Sequence, residues 1–230
     1  MIHHHGYEAV IAAILDKAYK NEESKYIYRG HTNDAWLLES SYLRYCLKRN
    51  TGFSPLEAEE LYAKFINKAS DFLNQDLSKM DRWDQIALAQ HHGVPTLFLD
   101  WTHSPYIALF FAVYEKLRTS HQGPIALWSL LIDDLDKKDS SSYFFYETKV
   151  FNTRRLVHQQ GCFTYLPFED DLGSFLTEEK SEAYRLNKYT VNVEGVEYRI
   201  LKDLSLMGIT QGFLFNDLDY IANDITNVVK

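Results

Sequence analysis

Four polar clusters interrupt apolar stretches of this 230-residue chain: Tyr28-Arg29-Gly30-His31, Gln90-His91-His92, Asp100-Trp101-Thr102-His103-Ser104, and Arg155 followed by His158-Gln159-Gln160. Arg29 ends a β-rich run beside a glycine that would let a ligand approach the backbone. Two readings stand: a guanidinium fork for phosphate or carboxylate, or half of a structural ion pair. Asp100 reads either as a site carboxylate or as a strand-end aspartate capping a neighbouring turn. His91, His92, Asp100 and His103 are metal-ligand types, but they match no HExxH-like spacing, so no metal is expected as the first reading. A Ser-His-Asp triad lacks its GxSxG elbow, and neither a Walker loop nor a dinucleotide-binding glycine fingerprint occurs. The residues alone give a domain with a polar cleft at the Asp100 corner.

Elements must position these groups. Thr96–Leu99 reads as a short buried strand, and Ser104-Pro105 as the cap and first residue of a helix that is apolar on every side to Val113. Tyr26–Tyr28 reads as an earlier strand, and Tyr7–Tyr19 as an amphipathic first helix. Between the Arg29 and Asp100 strands lies a helical block. One helix falls within Leu37–Arg49, with Arg44 solvated. A second starts at Ser54-Pro55 with Glu57 placed for a capping box, and buries Leu61, Phe65 and Ala69. A third runs from Arg82 to His91. Strands are expected at Ile125–Leu131, Arg155–Tyr165 and Tyr189–Val193, the second with a bulge or close approach at Gly161. Helices are expected at Val196–Leu206, stopped by Met207-Gly208, and at Leu214–Ile225. The expected fold is α+β: a single mixed, mostly antiparallel sheet with surrounding helices. Residues 1–25 supply the first helix and 26–230 the remainder of one globular unit.

The charge of −8 argues against an extended duplex nucleic-acid footprint, although it leaves room for a local basic pocket. Sixteen Tyr and fourteen Phe predict an aromatic interior. Cys46 and Cys162 form no CxxC pattern and suggest a reducing cytosol. No run of membrane-spanning length and no signal peptide is found, so a cytoplasmic protein without a membrane partner is expected. His3-His4-His5 reads as a tag remnant or loose end.

Tyr28-Arg29-Gly30, Gln90-His91-His92-Gly93-Val94-Pro95-Thr96, Leu99 to Pro105, Ala108 to Ala112, and Arg155 with Gln159, Gly161 and Phe163 occur in the order of the bacterial FRG domain family, which this chain resembles from about Tyr26 to Ile225. The tail from Leu201 to Ala222 is similar to that family's C-terminal stretch. Two departures are visible: Leu97 follows Pro-Thr where the family commonly has arginine, and Asn216 replaces a proline of the tail motif.

The order of motifs also resembles that of ADP-ribosyltransferases. An arginine ends a first strand, a helical block follows, a strand ending in a hydroxyl-bearing corner feeds an Ala/Phe-rich helix, and a later strand bears Gln or Glu. The resemblance implies NAD as substrate and no metal, with Arg29 for the phosphates and Thr102 for the ribose. It also implies Gln159 at the third position; because Gln159 is neutral, either Asp100 supplies the missing carboxylate or the site binds without turning over. Tyr28, Gly30, His31, Gln90, His91, His92, Trp101, Ser104 and Arg155 would line the ligand site. The implied role is a toxin or defence effector acting on an unknown macromolecular acceptor. Two alternatives carry different chemistry: a non-catalytic nucleotide- or nucleic-acid-binding sensor, and a metal-dependent hydrolase built on His91, His92, Asp100 and His103.

Overall fold

A computed structural model describes residues 2–3, 6–20, 25–132, 144–147, 154–178 and 186–216. Its strands are β1 (Ile2–His3), β2 (Tyr26–His31), β3 (Phe98–Thr102), β4 (Ile125–Leu131), β5 (Phe144–Tyr146), β6 (Gly161–Tyr165) and β7 (Leu186–Val191). They form one sheet in the order β1-β7-β4-β2-β3-β6-β5. All neighbours run antiparallel except β1 with β7, so the fold is α+β with a mixed, mostly antiparallel sheet, as expected. His3 is paired beside Thr190 in that parallel contact rather than loose.

The helical block between β2 and β3 comprises α2 (Ser41–Arg49), α3 (Pro55–Leu73) and α4 (Arg82–His91). Each begins where a side chain accepts an orphan backbone N–H: Ser40 from Leu43, Ser54 from Glu57, Asp81 from Trp83. The capping box is half made, because the Glu57 carboxylate accepts from the Tyr42 hydroxyl (3.2 Å) and ties α3 to α2. α3 buries Ala58, Tyr62 and Ile66, with Leu61 and Phe65 only partly covered. Its inward face is therefore one residue on from the expected Leu61–Phe65–Ala69 stripe. Tyr62 takes the deep position because its hydroxyl can still accept from Arg82 Nε (3.2 Å).

One face of the sheet is covered by α5 (Pro105–Thr119), with α1 (Tyr7–Lys20) and α8 (Glu197–Leu206) packed beside it. Ser104 caps α5 from Ile107 N (3.3 Å), and Ala108, Ala112 and Val113 are buried with Val10, Ile14, Leu127 and Ile200. Gly30 makes that close packing possible: a Cβ there would sit 1.9 Å from the carbonyl oxygen of Ala108. The missing Cβ makes room for the helix, and the glycine also borders the cleft beside Arg29. The opposite face buries Ile27, Leu99, Trp101, Leu130 and Cys162.

β3 lies two residues later than expected. Thr96 stays outside it, and the strand continues through Asp100 and Trp101 because β6 pairs with it from Phe98–Tyr165 to Thr102–Gly161. Arg155 to His158 is helical, in α6 (Arg154–His158), not a strand; Gln160 then turns through a left-handed conformation (φ 47°) into β6. The apparent alternation misled because Val157 is 49 % exposed, while Leu156 folds back so that a Cβ on Gly161 would come within 3.1 Å of it. The short helices α7 (Leu172–Glu178) and α9 (Gln211–Phe215) complete the fold. α9 ends at Asn216, whose φ of 49° is closed to a proline ring. The helix expected over Leu214–Ile225 lies, beyond that point, outside the described residues. No helix among the described residues is long and apolar enough to cross a membrane.

Candidate functional site

β2 and β3 meet where Tyr28 stands opposite Thr102, and beside that point a cleft of about 1020 Å³ opens between them and the helical block. Alternation along β2 puts Ile27, Arg29 and His31 on one face and Tyr28 with Gly30 on the other. Tyr28 borders the cleft but is buried against α5, and burial, followed by the neighbouring Tyr26 and Tyr189 hydroxyls, pushes its own up to about 12.

Arg29 is the best-held group of the site. Its Nε donates to His31 Nε2 (2.9 Å) and its Nη1 to the carbonyl oxygen of Asp100 (2.5 Å), with Asp100 Oδ2 3.9 Å away. Nη2 has no partner among the described residues. Burial lowers the guanidinium pKa to about 10, with Asp100 pulling it back up and Arg44 pushing it further down, so it stays cationic at neutral pH. The Asp100 carboxylate is half exposed and not enclosed by the pair.

Gln90, on α4, is held by its oxygen. Oε1 accepts from the Thr96 hydroxyl and lies 3.0 Å from Ser41 Oγ, whose single proton is shared with the Thr96 carbonyl oxygen (3.0 Å), while Thr96 Oγ1 in turn accepts from Phe98 N. Gln90 Nε2 is then left buried without a partner. Arg155, on α6, lies over the ring of Phe215 (4.9 Å), and its Nε is also buried and unpaired. His91 is half buried in the same wall, its pKa lowered by burial first and then by Arg155 and His92.

Arg29, His31, Gln90, His91, Asp100, Trp101, Thr102, Arg155 and Gln159 all border the one cleft. Several are already engaged. Thr102 Oγ1 donates to the carbonyl oxygen of Gln159 (2.7 Å) and accepts from Ser104 N (3.2 Å), and Gln159 Nε2 donates to the carbonyl oxygen of Leu214 (3.1 Å). The Trp101 indole donates to Thr164 within the core (3.0 Å). Ser104 caps α5, and His92 stands exposed against Phe65 (5.6 Å between centroids); neither borders the cleft. His103 lies instead beside Phe145 and Glu147. Among the described residues no group of three or more His, Cys, Asp or Glu could hold a metal ion, so the hydrolase set is not assembled.

Sequence reasoning missed Trp36, Glu39, Arg44 and Phe215 in the lining. Arg44 is exposed as expected, yet at the cleft edge, where Nη1 donates to the Glu39 carbonyl. Trp36, 49 % exposed, meets His31 edge-on (6.0 Å). A tryptophan directly after the polar turn Thr32-Asn33-Asp34-Ala35 was the available signal. Leu97 is buried with Tyr42 and Cys46 and does not border the cleft.

No curated protein and no solved structure matches this chain. The model of the FRG domain matches residues 24–121, which run from the approach to β2 through the end of α5 and bring Arg29, Gln90, Asp100 and Thr102 to the cleft. An FRG domain is therefore present in this chain.

Proposed function

We propose that the cleft binds a phosphate-bearing nucleotide through Arg29, with NAD as the ligand class. In this reading it cleaves the bond between nicotinamide and ribose and passes ADP-ribose to an acceptor or to water. The observation that supports it best is the state of Arg29: cationic, gripped on two of its nitrogens, and left with one corner of a fork that suits a phosphate. Beside it, the Asp100 carboxylate supplies negative charge to an oxocarbenium-like ribose as nicotinamide leaves with the electron pair of the broken bond. Trp36 at the mouth gives a flat apolar surface for a ring. Thr102 and Gln159 act as positioning residues, joining β3 to α6 and α9 around the cleft. A toxin or defence effector is the role that fits such chemistry.

One observation favours the second reading, a non-catalytic nucleotide-binding module: the Thr102 hydroxyl and the Gln159 amide are engaged inside the protein. Mass-spectrometric detection of nicotinamide released from NAD separates the two. The wild type releases it, and Arg29→Ala, folded by circular dichroism, is reduced at least a hundredfold, as expected for loss of a charge-assisted phosphate clamp. Ligand-dependent thermal stabilisation without nicotinamide would assign the cleft to the binding module.

A further inference from the structure

The cleft holds two groups of donors, not one. Arg29, His31 and Arg44 come from β2 and α2; the charges that act on Arg29 are Asp100 and Arg44. Gln90, His91 and Arg155 come from α4 and α6, and the cation that acts on His91 is Arg155. Arg155 has no carboxylate partner among the described residues; it rests on a ring and keeps a buried, unpaired Nε. Gln90, its oxygen accepting from the Thr96 hydroxyl, keeps a buried, unpaired amide nitrogen. Buried donors without acceptors destabilise a fold. Two of them bordering the cleft that contains Arg29, with a guanidinium among them, have the composition of an anion subsite.

We propose that Arg155 and Gln90 form a second anion subsite, and that the ligand is a dinucleotide bearing a phosphate beyond its diphosphate bridge, of the NADP rather than the NAD class. The inference rests on the reading that Arg29 takes a phosphate. Arg155 and the Gln90 amide donate to the additional phosphate, while His91, uncharged beside Arg155, offers one further ring nitrogen.

NAD and NADP differ by that one phosphate, so isothermal titration of the full chain with each reads the subsite directly. The wild type binds NADP at least tenfold more tightly than NAD. Arg155→Gln brings the ratio to near one, and Arg155→Lys, which keeps the charge but not the fork, recovers part of it. Gln90→Glu still accepts from Thr96 but puts a carboxylate oxygen where the unpaired amide nitrogen stood, and it also abolishes the preference; this variant serves if Arg155→Gln does not fold. Equal wild-type affinities, or variants that weaken both ligands by the same factor, overturn the second subsite and leave the Arg29 reading standing. Binding of neither dinucleotide to the wild type overturns both.

Discussion

Arginine donates hydrogen bonds and never accepts them, so the contact from Arg29 Nε fixes His31 Nε2 as an acceptor and puts the imidazole proton on Nδ1. That nitrogen is buried beside the Trp36 backbone without a well-formed hydrogen bond. Burial is the larger reason, and the Arg29 charge the next, that the His31 pKa falls to about 3. Protonation would place a second cation against the guanidinium and remove the acceptor that orients it. The unfolded chain takes up that proton near pH 6.5 while the folded chain resists it. Stability is therefore fully present above about pH 6.5 and declines as pH falls toward 3, by roughly 1.4 kcal/mol per pH unit for one proton. Carboxylates add their own acid sensitivity, so the measurement is a difference. Urea unfolding of wild type and His31→Gln between pH 7 and 4 should show a shallower pH slope for the variant, by close to one proton. Parallel curves would mean that His31 is charged in the folded state and that Arg29 is held some other way.

At the scale of elements, what positions Arg29 is the approach of α5 to β2. The Cβ of an alanine at position 30 would meet backbone, not a movable side-chain tip, and the helix would have to lift from the strand. Gly30→Ala should cost about 3 kcal/mol or more, lowering the melting temperature by roughly 6–12 °C for a chain of this size. An unchanged melting curve would show that α5 does not sit so close. Nothing in Tyr-Arg-Gly distinguishes a glycine that admits a ligand from one that admits a helix, because both need the missing Cβ. The Ser-Pro helix starts at Ser54 and Ser104 were legible, since the cap and the proline act within one turn of chain. The extent of β3 was not: Asp100 remains in the strand because β6, some sixty residues on, supplies its ladder. The helix at Arg155 was hidden for a similar reason. Leu156 and Val157 look alike in sequence, and the fold of Leu156 onto Gly161 decides which one faces inward. Arg44 reads as a surface cation from its helix alone and enters the site through the packing of α2 against β3. Arg29, Gln90 and Asp100, which border the cleft, were legible because their clusters break apolar runs, whereas Trp36 and Phe215 blend into an aromatic-rich composition.

For the whole molecule, the cleft is not contained in the segment that the FRG model matches. Residues 24–121 hold β2 and β3, which meet where Tyr28 faces Thr102. β2 is paired along its length by β4, from Tyr26–Leu131 to His31–Ala126, and β3 by β6; both partners lie beyond residue 121. The apolar face of α5 is covered in part by α1 and α8, from either end of the chain, with Tyr7 donating to Asp203 (2.5 Å) to join those two helices. Arg155, Gln159 and Phe215 reach the cleft from outside the matched segment as well. An excised 24–121 chain would thus expose unpaired strand edges and the buried faces of Ile27, Leu99 and Ala112, with little ladder between its two strands to offset the ordering entropy. Such a fragment should give collapsed amide dispersion in a proton–nitrogen spectrum and no cooperative melting, while the 230-residue chain gives both dispersed signals and a sharp transition. Cooperative unfolding of the fragment would mean that the FRG segment carries a core of its own. Arg155 and α9 would then be additions to a site already formed, and the second anion subsite would be completed only when Arg155 joins Gln90 of the FRG segment.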